Sequence, residues 1–295
     1  MRTAGIAALC LGIAAGVILL IAASSTQDAT ARPTITRVLF ITGNVPPGTH
    51  ESEMISVYNT GRNGYSQLAD YLLAEQGHII EQVNDLDPVV NPLREDHLKL
   101  YDLVVLGSNN RLFAAREAGA LNAYVEWGGA VLALSDSRFG LSPNRKANEP
   151  GAGEISDNSL IEQYGMQIQH DNYVVVTADA SRFVTPTHPL LSGVNSFKGE
   201  GVSLIKRLGP PAQILVRGDG LPLTNGQITD NTYGITMFAQ VGRGRVAAVF
   251  DRNTWFNAGV GSDGTDISEL DNRRYAYAVF DWLARTGRED RLRQR

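Results

Sequence analysis

The residues best placed to do chemistry in this chain fall in four short polar runs, each close behind an apolar stretch. Asn44, His50 and Glu51 follow RVLFITG, Ser108, Asn109, Asn110 and Arg111 follow YDLVVLG, Ser135, Asp136, Ser137 and Arg138 follow AVLAL, and Asp251, Asn253 and Asn257 follow RVAAVF. A serine on a sharp turn after a strand is a nucleophile position when small residues stand two before and two after it. Ser135 meets this condition, flanked by Ala133 and Ser137, and Ser137 does not, because Phe139 lies two residues on. A serine nucleophile also needs a base. By position His188 is the substitute, although THPLLSGV equally reads as a histidine before proline at a turn.

The same four runs fit a second chemistry. Amides, carboxylates and a guanidinium pair with hydroxyl-rich or carboxylate ligands, and Trp255 adds an apolar face. The expected crevice therefore comprises Asn44, His50, Asn109, Asn110, Asp136, Arg138, Asp251, Asn253 and Asn257. Each of these is also an ordinary turn former, because Asn and Asp suit such loops for backbone reasons alone. The loop GSDGTDISELDN offers Asp263 and Asp266 as oxygen ligands for Ca²⁺, but its spacing is not that of an EF-hand. The five histidines are scattered, no zinc pattern exists, and no cofactor is expected.

Strand-helix alternation positions these runs. RVLFITG is a β-rich run, and Tyr65, Leu68 and Leu72 repeat at helical spacing until Gly77. HIIEQV and YDLVVLGS read as the next strands, the latter apolar enough to be buried on both faces. A helix carrying Ala118, Leu121 and Val125 ends at Gly128-Gly129 and leads into AVLAL. This order predicts a parallel sheet with crossover helices. The second half is less regular. NSLIEQYG is read as a short helix and YVVVTA as a strand, while residues 179 to 230 are rich in Gly, Pro and Ser. YGITMFAQ and RVAAVFD form a hairpin about Val241-Gly242-Arg243-Gly244, and Tyr275, Val279 and Trp282 mark a last helix that Asp271 or Asn272 caps.

The N-terminus has the build of a targeting segment. Arg2 precedes an apolar run from Ala4 to Ala23, and Ala29-Thr30-Ala31 is a small-x-small cleavage site. Residues 1–31 are thus expected to be a signal peptide or, uncleaved, a membrane anchor through residues 4–23, and the protein is expected to be periplasmic or secreted. The single cysteine, Cys10, lies inside this segment, so the exported chain has neither a disulfide nor a thiolate nucleophile. A net charge of −5 gives no footprint for nucleic acid. One domain is expected over residues 36–286, followed by a polar tail, 287–295.

In this order and spacing, YDLVVLGS, LNAYVEWGGAVLALSD, NSLIEQYGMQI, THPLLSGV, GRGRVAAVFDRNTWFN and DNRRYAYAVFDWLA resemble the class I glutamine amidotransferase-like superfamily. The resemblance is to its non-amidotransferase branch: DUF4350-type proteins, the amidotransferase-like domain of gliding-motility and intraflagellar-transport proteins and, more distantly, the ThuA-like group. It implies an α/β, flavodoxin-like, mainly parallel sheet with helices on both faces and a C-terminal β-hairpin plus helix. The family's enzymes carry a cysteine after the strand matched by AVLAL and a histidine after the late VFD strand. This chain has Ser135-Asp136-Ser137 and Asp251-Arg252-Asn253 there. The resemblance therefore implies a non-catalytic module that binds a ligand at the carboxyl edge of the sheet, such as a carbohydrate or other cell-envelope component. A hydrolase or ThuA-like sugar-processing enzyme using Asp136, Asp251 or His50 as acid or base is one alternative, and an interaction scaffold the other.

Overall fold

The structure is a computed structural model, and it describes residues 36–42, 55–84, 91–107, 109, 112–134, 152–169, 175–223, 226–259 and 265–284. The targeting segment, residues 1–31, and the polar tail, 287–295, lie outside the described residues. The described residues, which begin at Thr36, fall in one compact unit. Among the described residues no helix is long and apolar enough to cross a membrane.

Among the described residues eleven strands alternate with five helices: β1 (Thr36–Thr42), α1 (Ser66–Gln76), β2 (His78–Asn84), α2 (Glu95–Leu98), β3 (Leu103–Gly107), α3 (Ala115–Trp127), β4 (Ala130–Leu134) and α4 (Ala152–Ile161) make the first half. β5 (Met166–Ile168), β6 (Val175–Asp179), β7 (Ser196–Glu200), β8 (Ile205–Arg207), β9 (Gln213–Arg217), β10 (Tyr233–Val241), β11 (Gly244–Val249) and α5 (Asn272–Ala284) make the second. The main sheet has the order β2-β1-β3-β4-β11-β10-β8-β5, with β9 beside β10, and β6 and β7 form a separate pair. β2, β1, β3, β4 and β11 are mutually parallel, and the sheet continues antiparallel from β10 outward. This is the flavodoxin-like arrangement read from the sequence, with the hairpin closing at Val241 opposite Gly244.

The central strands form because they are apolar on both faces. LVVLG of β3 and AVLAL of β4 are buried throughout, as parallel strands covered by helices must be. The chain moves one way along the sheet from β1 to β2 and the other way from β3 to β4. Right-handed crossovers then place α1 and α3 on opposite faces. α5 joins α1, stacking Phe280 on Phe40 at 6.3 Å.

Glycines stop the helices where the chain must turn. Gly77 ends α1 in the left-handed conformation, and its N–H caps the Leu73 carbonyl at 3.1 Å. At Gly129 the Tyr124 ring occupies the space a side chain would need, its nearest carbon 2.2 Å from where a Cβ would stand. At its start α3 is held by Glu117, whose carboxylate accepts from the Ala114 N–H at 2.8 Å.

The second half differs from its sequence reading, which gave no strand at β5 (Met166–Ile168). The helix read from residue 158 begins at Ala152 and ends in a 3-10 turn, Glu162–Tyr164. The Gly/Pro/Ser-rich span holds three strands, β7, β8 and β9, each only three to five residues long. Strands this short carry too few alternations to register as a period, and partners distant in the chain stabilise them. Phe197 of β7 stacks at 4.0 Å on Tyr275 of α5 and meets Phe250 edge-on at 5.8 Å. Such aromatic pairs add about 0.5–1.5 kcal/mol each beyond area burial.

Candidate functional site

Four parallel strands end in one row: Thr42 pairs with Gly107, Gly107 with Leu134, and Leu134 with Val249. Open α/β sheets take ligands beyond such a row, classically at the point where strand order reverses, here between β1 and β3. In this protein the segment from Ile55 to Tyr65 lies over that point. The Ile55 N–H bonds to the Asn63 carbonyl and the Val57 N–H to Gln82 Oε1, both at 2.8 Å. Gln82 in turn donates to Thr42 Oγ1 at 3.1 Å, tying the segment to the ends of β1 and β2.

Ile55 is 2 % exposed and takes φ of 56°, a left-handed value that is an outlier for a β-branched residue. That conformation costs about 1–2 kcal/mol, and it is held by the bonds around it. Its Cδ1 sits where a side chain at Gly107 would go, 2.4 Å from a Cβ placed there. Gly107 thus makes room for the plug, and Ile55 occupies the usual crevice.

Next along the row, Asn109 after β3 and Asp251 after β11 each stand two residues past it. Asn109 is fully buried, and its Nδ2 donates to Asp157 Oδ1 of α4 at 2.7 Å. No donor reaches its Oδ1 among the described residues. A buried carbonyl left in this state costs about 1–3 kcal/mol.

Asp251 is equally buried but fully engaged. Its Oδ2 accepts from the Glu200 N–H at 2.8 Å and its Oδ1 from the Asn253 N–H at 2.8 Å. Asn253 Nδ2 donates to the Glu200 carbonyl at 2.9 Å. The two side chains therefore give Glu200 the pair of hydrogen bonds that a neighbouring strand would give, and they hold β7 against the end of β11. Gly199 permits this approach, since a Cβ there would lie 2.7 Å from Asp251 Oδ2.

Asn257 also works on backbone. Its Oδ1 accepts from the Gln67 N–H at 2.9 Å, satisfying one of the first-turn donors of α1. Its Nδ2 donates to the carbonyls of Asn59 at 2.9 Å and Gly61 at 2.7 Å, which fastens the Ile55–Tyr65 segment. Asn257→Ala is expected to lower the unfolding free energy by about 2 kcal/mol. The check is a fall in the urea midpoint at unchanged slope.

His188 stands elsewhere. Its Nδ1 accepts from the Leu190 N–H at 3.2 Å, and its ring packs 4.5 Å from Phe238 and 5.3 Å from Trp282. Burial and the neighbouring Arg245 charge hold its pKa below the usual histidine value. Arg245 pairs with Ala130 at the start of β4, so this is the end of the strands opposite Asp251. The reading of His188 as base to Ser135 is corrected accordingly: the imidazole is committed to a turn.

Asp266 is likewise committed, its Oδ1 accepting from the Ser268 N–H at 2.7 Å and the Ser268 hydroxyl at 2.6 Å. Among the described residues no group of three His, Cys, Asp or Glu side chains gathers to hold a metal. Asn44, His50, Asn110, Ser135, Asp136, Arg138 and Asp263 lie outside the described residues.

Of the expected crevice residues the structure thus brings Asn109, Asp251, Asn253 and Asn257 to the carboxyl edge, three of them bonded to backbone. Two participants were missed, Ile55 and Asp157. Asp157 had a signal: it stands three and four residues before Leu160 and Ile161, a charged residue on the apolar stripe of its helix.

The family model described as "Domain of unknown function (DUF4350)" matches residues 57–280. No curated protein matches the sequence. Among solved structures, the mmIFT52 N-terminal domain superposes with a TM-score of 0.56 at 14% identity, covering 85% of this chain and 98% of that one. The cytoplasmic protein STM3548 from Salmonella typhimurium gives 0.53 at 14%, covering 83% and 98%. A ThuA-like protein from Bacteroides uniformis gives 0.50 at 12%, covering 84% and 91%. At such identities these likenesses speak to the fold.

Proposed function

Since the chain belongs to the DUF4350 family, we propose that it is an exported, non-catalytic module of the amidotransferase-like kind. In this reading it binds a carbohydrate or another cell-envelope component at the carboxyl edge of β3, β4 and β11. The observation that carries the proposal is the use made of the late-strand position. Where the fold's enzymes carry a histidine, Asp251 and Asn253 bracket the backbone of Glu200. A fully buried carboxylate spent on backbone N–H groups is not available as a general base. The nucleophile is missing too, because the only cysteine is Cys10 in the N-terminal apolar segment.

Three measurements test this reading. Glutaminase and amidase assays on the full chain are expected to give no turnover, and activity lost in Ser135→Ala would overturn the non-catalytic assignment. Thermal-shift titrations with neutral sugars are expected to raise the melting temperature; no shift with any sugar or envelope glycan would overturn the binding assignment and leave the scaffold. Mass spectrometry of the N-terminus of the exported protein is expected to find cleavage after Ala31.

A further inference from the structure

Asn109 is the one expected crevice residue in the described structure whose bonding is incomplete. Its position is built: the amide follows a central strand, has no exposed surface, and is oriented by a 2.7 Å bond from Nδ2 to Asp157 Oδ1. Asp157 is itself 1 % exposed and rides on α4, a separate element. The bond to Asp157 uses one of the two N–H groups of Nδ2 and fixes which way the amide faces, and no described residue supplies a donor to Oδ1, which can only accept. The crevice beside it, between β1 and β3, is filled by Ile55, so a ligand at this edge is directed toward β3, β4 and β11.

We propose that Asn109 Oδ1 is the acceptor that selects the ligand of this edge, and that the ligand it selects is uncharged and hydroxyl- or amide-bearing. The inference rests on the binding reading above. Oδ1 itself only accepts, so it bonds to a hydroxyl or an amide N–H and gives a carboxylate or phosphate oxygen nothing to bond to. A charged group would also have to shed its hydration to reach a fully buried atom, a far larger penalty than for a hydroxyl or amide N–H. Asp157 is a positioning residue, acting through the amide it orients.

The test is calorimetric titration of the full chain with glucose, N-acetylglucosamine and glucuronate, the last a glucose ring bearing a carboxylate. The neutral sugars are expected to bind at least about tenfold more tightly than glucuronate, and Asn109→Ala to weaken them about tenfold. Asp157→Ala should act like Asn109→Ala. Asp157→Asn keeps an acceptor for Nδ2 and should stay within about threefold of wild type, a rescue that general destabilisation does not produce. Circular dichroism below the melting temperature confirms that each variant is folded. Glucuronate binding as tightly as glucose, or neutral-sugar binding unchanged in Asn109→Ala, overturns this inference and leaves the binding reading standing. Glucuronate binding without the neutral sugars likewise overturns only this inference, whereas failure of all three probes overturns both.

Discussion

Asp251→Ala is expected to destabilise the protein by about 3–4 kcal/mol, among the largest effects of any single polar substitution here. The carboxylate accepts from the N–H groups of Glu200 and Asn253 at 2.8 Å each, and from the Thr254 hydroxyl at 3.4 Å. Its removal strands two backbone donors and opens a void beneath β7. A hydrogen bond to a charged group contributes about 1.5–3 kcal/mol, and its loss leaves the desolvation of the partner uncompensated. Over a unit of this size the change amounts to roughly 10 °C in melting temperature. Asp251→Asn keeps one acceptor and should lose about half as much. Urea denaturation measures both, and a loss below about 1 kcal/mol for the alanine variant would remove Asp251 from its anchoring role and reopen its candidacy as a reacting group.

The second large effect is a pH dependence set by His78. At the start of β2 its side chain is 4 % exposed, and neither ring nitrogen has a hydrogen-bond partner among the described residues. Burial pushes its pKa down to about 4, against the opposing pull of Asp281 and Asp102. The unfolded chain binds a proton near pH 6.5, whereas the folded chain resists it until about pH 4. Stability is therefore fully present above pH 6.5, declines as the pH falls through that window, and has lost on the order of 3 kcal/mol by pH 4.

Carboxylates held by hydrogen bonds act in a lower window. The pKa of Asp271 is lowered chiefly by the Asn195 N–H, so its contribution is lost only as the pH falls below the ordinary aspartate value of 3.8. His188 is shifted in the same direction as His78, so the difference between wild type and His78→Leu isolates the His78 share. Urea midpoints at pH 7, 5.5 and 4 are expected to fall more steeply for wild type than for the variant. Parallel curves would place a partner on His78 in solution.

The half of the fold that could be read directly is the half written in apolar runs. β3 and β4 are continuous buried stretches and β1 is one but for Arg37, α1 and α3 end at the glycines that mark them, and α5 starts at Asn272, although the Asp271 and Asn272 side chains expected to cap it bond to the backbone of other segments. β7, β8 and β9 were not legible because their strand character comes from partners: β7 from Asp251, Asn253 and Asn272, and β9 from β10. Asn272 illustrates the difference. Its place at the head of α5 can be seen in the sequence, but not that its Oδ1 accepts from the Lys198 N–H at 2.9 Å while its Nδ2 donates to the Asp266 carbonyl at 2.8 Å.

The amino-acid sequence by itself determined the alternation of strands and helices, the motif order that resembles the amidotransferase-like superfamily, and that a serine and not a cysteine follows AVLAL. These follow from local apolar periodicity, turn chemistry and residue identity, all properties of neighbours in the chain. Only the tertiary structure decided what the polar residues at that edge do. It assigned Asp251, Asn253 and Asn257 to backbone groups 51, 53 and 190–198 positions away, sent His188 to the far end of the strands, and left Asn109 Oδ1 unmatched. A side chain's hydrogen-bond partner is fixed by which distant backbone arrives beside it, and that depends on the packing of the whole sheet.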